Sequence, residues 1–128
     1  MTENQLSKIV FDLGMKVHKS LGPGLLESSY EECLYYELCK TDLKVERQKL
    51  LPVIYEGLRM ETSYRVDLMI EDKLILELKA VENLTDLHLA QLLTYLRLSN
   101  SKLGMIMNFN VPLFKNGVKR VINGQLDK

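Results

Sequence analysis

The chain has 128 residues and a mass of 14.8 kDa, with 46% hydrophobic and 27% charged side chains, enough for one buried core and too few for two. Seventeen Lys and Arg balance seventeen Asp and Glu, which argues against a strongly basic, non-specific nucleic-acid binder. The balance is uneven: residues 1–96 hold 11 basic and 16 acidic side chains, residues 97–128 hold six and one. The opening MTENQLSKIV lacks the basic-then-apolar order of a secretory signal, and no run approaches the roughly 18 apolar residues of a membrane span. Cys33 and Cys39, without C-x-x-C spacing, read as reduced thiols of a cytoplasmic protein.

Leu6, Ile9/Val10, Leu13, Val17 and Leu21 recur at three- and four-residue spacing and predict a first helix. Thr2 and Gln5 fit a capping box at its start, and Leu21-Gly22-Pro23-Gly24 ends it. A second helix is expected from about Leu25 to Lys40. At the helical turn per residue, Tyr30, Leu34 and Leu38 fall within about 60° of Glu27. This places Glu27 near the middle of the apolar stripe and Glu31 near its edge. Glu31-Glu32 count among the solvated acids.

From Leu43 to Lys79 the period changes from 3.6 to 2. Leu51, Val53 and Tyr55 alternate, with Pro52 indicating an edge or a bulge, and Glu56-Gly57 turns the chain. Tyr64, Val66, Leu68 and Ile70 alternate with Arg65, Asp67 and Met69; Leu74, Leu76 and Leu78 alternate with Ile75, Glu77 and Lys79. A three-residue loop at 71–73 sets Ile70 opposite Leu74, Asp67 opposite Glu77 and Arg65 opposite Lys79. That register keeps the Leu/Val/Ile set on one side and brings Asp67, Glu77 and Lys79 to one face. A two-residue loop would separate the acids.

Leu84–Leu98 is expected to be helical and apolar nearly all round, with Gln91 among leucines, hence buried. LGMIMNF at 103–109 suits a strand buried on both faces, joined to the preceding strand by a right-handed parallel crossover. Val118–Ile122 suits a last short strand. The order α-α-β-β-β-α-β predicts an α/β fold with a mixed central sheet flanked by helices, residues 1–128 forming a single domain.

Two carboxylates facing each other across a hairpin repel, and a divalent cation relieves the repulsion. Asp67 and Glu77 are therefore candidate Mg²⁺ ligands. Lys79, on the same face, could orient a water or steady negative charge on a phosphate. The bland alternative is an ordinary cross-strand set, Arg65 pairing Asp67 and Lys79 pairing Glu77. Glu27 is a candidate third ligand or a helix N-terminal charge. Gln91 and Tyr95, one turn apart, suit either a satisfied core group or a substrate contact. His18 and His88 lack zinc spacing, and no P-loop, G-x-G-x-x-G or nucleophile triad is present.

The stretch GPGLLESSYEECL contains G-x-x-E-x-x-Y over Gly24, Glu27 and Tyr30, and with YRVDLMI, LILELKAV, HLAQLLTYL and MNFNVPLFKNGVKR it resembles the GxxExxY family of the PD-(D/E)XK nuclease superfamily. The resemblance implies a restriction-endonuclease-like core and a metal-dependent nuclease, acting on DNA in preference to RNA. It makes Asp67, Glu77 and Lys79 the acid and E-x-K positions, and Glu27 the helix glutamate that completes a Mg²⁺ (or Mn²⁺) site. Gln91 and Tyr95 match a Q-x-x-x-Y element of the phage-lambda-type exonuclease branch. Arg65, Lys119 and Arg120 are candidate substrate contacts, the last two on a basic backbone-phosphate surface. The alternative function is a non-catalytic nucleic-acid-binding or regulatory protein that keeps the fold. A chain of this size is expected to need a homodimer or a partner protein for target recognition.

Overall fold

Helix α1 spans Glu3–Leu21 and starts as the capping box requires: Gln5 N donates to Thr2 Oγ1 at 3.2 Å, and Thr2 N donates to Gln5 Oε1 at 2.9 Å. These are features of a computed structural model that describes residues 1–61 and 64–126; the domain boundary at 128, with Asp127 and Lys128 of the basic segment, lies outside the described residues. The helix stops at Gly22, whose φ of +69° few other residues accept. Helix α2, Glu27–Cys39, begins two residues later than the sequence pattern suggests. The linking turn is tied by Tyr30, whose hydroxyl donates to Gly22 O at 2.6 Å and accepts from Leu25 N at 3.1 Å. The Tyr30 ring stacks on Phe109 at 4.4 Å between centroids.

Strand β1 runs over Val45–Leu51. Two short strands, β2 (Ile54–Tyr55) and β3 (Leu58–Arg59), form a separate hairpin turned at Glu56-Gly57. Strands β4 (Tyr64–Ile70) and β5 (Leu74–Lys79) follow, then helix α3 (Asp86–Ser99), β6 (Leu103–Asn108), a 3₁₀ turn at Phe114–Gly117 and β7 (Val118–Ile122). The 3₁₀ turn has no counterpart in the sequence reading. The main sheet has the order β1-β4-β5-β6-β7. β4 is antiparallel to β1 and β5, β6 is parallel to β5, and β7 is antiparallel to β6. The expected mixed sheet flanked by helices is what the chain adopts.

Both faces of the sheet are apolar, because helices cover both. Leu6, Val10, Tyr30 and Leu34 of α1 and α2 pack on Leu68, Ile70, Leu74, Leu76 and Leu78. On the other face Leu92, Tyr95 and Leu96 of α3 pack on Val66, Met69, Ile75 and Ile106. This corrects two expectations. The Leu/Val/Ile set of the hairpin is divided between the faces: Val66 lies under α3, while Leu68, Ile70, Leu74, Leu76 and Leu78 face α1 and α2; Ile75 lies under α3, as its alternation with the leucines predicts. Helix α3 is buried along one stripe only: Leu87 is 77% exposed and Leu98 also faces solvent, since no described element lies over its outer side. Close approach of α3 to β6 depends on Gly104, where a Cβ would stand 2.7 Å from Leu92 Cδ1. No described helix is long and apolar enough to cross a membrane.

Candidate functional site

The β4–β5 hairpin has the three-residue loop. Ile70 pairs with Leu74, Met69 with Ile75 and Leu68 with Leu76; Glu71 and Asp72 take left-handed φ values of 52° and 54° to close it. One pair further on, side chains replace the ladder. Asp67 N donates to Glu77 Oε2 and Leu78 N donates to Asp67 Oδ2, each at 2.8 Å. Each acid thus satisfies a backbone amide next to the other, which fixes both carboxyl groups where the strands part. Glu77 is only 6% exposed.

Burial, then the charge of Asp67, pushes the Glu77 carboxyl up to about 8. Burial also raises Asp67, helped by the charge of Glu31 and opposed by the Leu78 amide and by Gln48. The half-buried Lys79 is near enough for its charge to pull both acids down. Even so, among the described residues no ion pair joins Lys79 or Arg65 to either acid. The ordinary cross-strand pairing is not made, and the two carboxylates are left costly to ionise.

Glu27 does not lie within the apolar stripe. It is the exposed first residue of α2, and its Oε2 accepts from Ala80 N at 3.3 Å. A helical wheel gives an angle but no height; because the helix starts at Glu27, that residue overhangs the end of β5 beside Lys79. The buried acid of α2 is Glu31, one turn later and 7% exposed. This corrects its expected solvated position. Glu31 Oε2 accepts from Arg47 Nε at 2.8 Å and Oε1 from Gln48 Nε2 at 2.6 Å. Gln48 Nε2 also stands 3.3 Å from Asp67 Oδ1. Neither Glu31 nor Gln48 was a sequence candidate for the site; the available signals were the i,i+4 spacing from Glu27 and the polar run Glu46-Arg47-Gln48-Lys49 in a strand.

Gln91 is exposed and not enclosed by leucines; it donates to Tyr95 Oη at 3.1 Å. Tyr95 is buried against Ile75 and Ile106 on the α3 face, the face Glu77 shares through its pairing with Ile106, and its hydroxyl is raised by burial and by the charges of Glu77 and Asp67. Both residues line a groove of about 300 Å³ with Val53, Met60, Tyr64 and Leu98.

The basic candidates are not brought together. Arg65 is exposed opposite Leu50 on the β1 side. Lys119 pairs with Ile106, which pairs with Glu77, so Lys119 shares the α3 face two strands from Glu77 and three from the strand of Asp67. Arg120 pairs with Met105 on the other face and donates to Asn4 Oδ1 of α1.

Among the described residues no three His, Cys, Asp or Glu side chains form a group that could hold a metal ion. Mg²⁺ needs no such cage, because it keeps several waters and is held by one or two carboxylates plus substrate oxygens. Asp67 and Glu77 are two oxygen donors that join no ion pair among the described residues, and this fits a hard divalent cation. A family model described as the PD-(D/E)XK nuclease superfamily matches residues 4–121. The mixed sheet and its flanking helices agree with that superfamily's restriction-endonuclease-like core. No curated protein and no solved structure matches the chain.

Proposed function

The chain belongs to the PD-(D/E)XK nuclease superfamily, and from that premise we propose that it is a divalent-metal-dependent nuclease that hydrolyses phosphodiester bonds in nucleic acid, with DNA as the preferred substrate. The observation that carries this reading is the pair Asp67 and Glu77, Glu77 accepting from the Asp67 amide and Asp67 from the Leu78 amide, the first acid half-buried and the second buried, and neither in an ion pair among the described residues. Such a pair is a standing cost that a nuclease site recovers by binding Mg²⁺ or Mn²⁺.

Asp67 and Glu77 would hold the ion, with Glu27 at the end of β5 as the nearest exposed acid on α2. Glu77 must give up its proton to do so. A bound divalent ion would supply charge for the scissile phosphate and lower the pKa of a water. The ammonium of Lys79 holds the attacking water in line and balances charge gathering on the phosphate oxygens. Gln91 and Tyr95 wall the site on the α3 side, and Lys119 is the nearer of the two β7 cations to a bound backbone.

The test is incubation of the pure protein with single- and double-stranded DNA and RNA in Mg²⁺ or Mn²⁺. Cleavage abolished by EDTA, by Asp67→Ala and by Lys79→Ala is expected. Cleavage that persists in both variants would place the activity elsewhere. Salt-sensitive binding without cleavage would instead identify a non-catalytic nucleic-acid-binding protein.

A further inference from the structure

Strand β1 places Arg47 opposite Leu68 and Lys49 opposite Val66, so Gln48 stands opposite Asp67. The pleat of both strands breaks at this pair. Leu68 belongs to the core under α1 and α2 and Val66 to the core under α3, although residues two apart in a regular strand share a face. Gln48 has a φ of +52°, a left-handed backbone that a non-glycine residue in mid-strand keeps only when its surroundings impose it. The return for that conformation is the placement of one amide group: Nε2 meets Glu31 Oε1 at 2.6 Å and Asp67 Oδ1 at 3.3 Å. Arg47 takes the other oxygen of Glu31, so the acid of α2 is fully occupied by two successive residues of β1.

We propose that Gln48 is a positioning residue for cation binding. Its amide aims Asp67 Oδ1 and holds Glu31 off from Asp67. The ion is thereby taken by Asp67 and Glu77 at one site and not drawn toward Glu31. This rests on the nuclease reading, because it concerns the same two ligands. A neutral donor does this without competing for the ion's place, as a lysine there would. Partners of this kind typically change metal affinity by about 10- to 100-fold when removed.

Glycine accepts a φ of +52° without strain, so Gln48→Gly removes the amide while relaxing the backbone. Gln48→Met keeps the backbone conformation and the reach of the side chain but has no donor. Calorimetric titration of the full chain with Mn²⁺, with the electron paramagnetic resonance spectrum of the bound ion and a melting curve, compares the two variants with wild type. The expected result is an affinity about 10-fold weaker or worse in both variants, with an altered Mn²⁺ spectrum, and a cooperative melting transition that shows each variant to be folded. Should the glycine variant fail to fold, the methionine variant gives the same comparison. Unchanged affinity and spectrum in a folded variant, beside a wild type that binds Mn²⁺, overturn the role of Gln48 alone. A wild type that takes up no Mn²⁺ overturns the nuclease reading, and this inference with it.

Discussion

Glu77 carries the largest electrostatic cost in the molecule's described part, and that cost has a direction in pH. Its carboxyl titrates near 8 in the folded chain against a reference of 4.5, so between these values the folded state holds a proton that the unfolded state has lost. Stability from this group is therefore fully present below pH 4.5 and is lost as pH rises through 8. In EDTA the melting temperature should fall progressively from pH 5 to 8.5. Glu77→Gln, which cannot ionise, should flatten the profile and be more stable than wild type at pH 8 by about 1–3 kcal/mol, while losing cleavage. Added Mg²⁺ should raise the wild-type melting temperature more at pH 8 than at pH 6, because the ion competes with the proton. A pH-independent wild-type melt would show that Glu77 is not held protonated. The sequence made Asp67 and Glu77 legible, since charges inside LILELKAV need a reason. Glu31 was not legible, because its partners Arg47 and Gln48 come from a strand whose placement against α2 no local pattern announces. Tyr30, read only as part of a motif, has a mechanical use: Tyr30→Phe keeps the stack on Phe109 but leaves Gly22 O and Leu25 N without their partner. Chemical denaturation should register a loss of about 1–2 kcal/mol.

At the scale of elements, periodicity succeeded where a partner lies on each side and failed where it does not. The hairpin register followed from counting three loop residues, and β6 was recognisable as a central strand from its unbroken apolar run. Helix α3 misled because Leu87 and Leu98 look like core residues on a wheel, yet only the stripe of Leu92, Tyr95 and Leu96 meets the sheet. The two classes of leucine should separate in denaturation experiments. Leu92→Ala should cost about 2–5 kcal/mol as it opens a cavity against Gly104 and Ile106. Leu87→Lys should stay within about 0.5 kcal/mol of wild type. A large loss from Leu87→Lys would mean that something covers the outer side of α3. Helix α2 shows the complementary error: two residues at its start move Glu27 from a buried stripe to an overhang at the end of β5.

At the scale of the molecule, the uneven charge seen in the sequence is real, but it does not form one surface. Alternation along β7 sends Lys119 to the face of Ile106 and Glu77, and Arg120 to the opposite face, where Asn4 holds it. Two neighbouring basic residues in a strand cannot both line one groove. Lys119 stands two strand spacings from Glu77, about 10 Å, within reach of a phosphate one or two nucleotides from the proposed scissile one. In a salt titration of DNA binding, Lys119→Gln should therefore weaken binding and reduce the slope of log K against log salt by about one. Arg120→Gln should leave the slope unchanged and report only a small stability loss from the broken link to Asn4. Equal effects of the two substitutions would require the backbone to contact both faces of the sheet, which the position of Glu77 on the α3 side argues against. The difference between adjacent residues, more than the total charge of the segment, is the measurement that would mark the side on which the proposed nucleic-acid substrate binds.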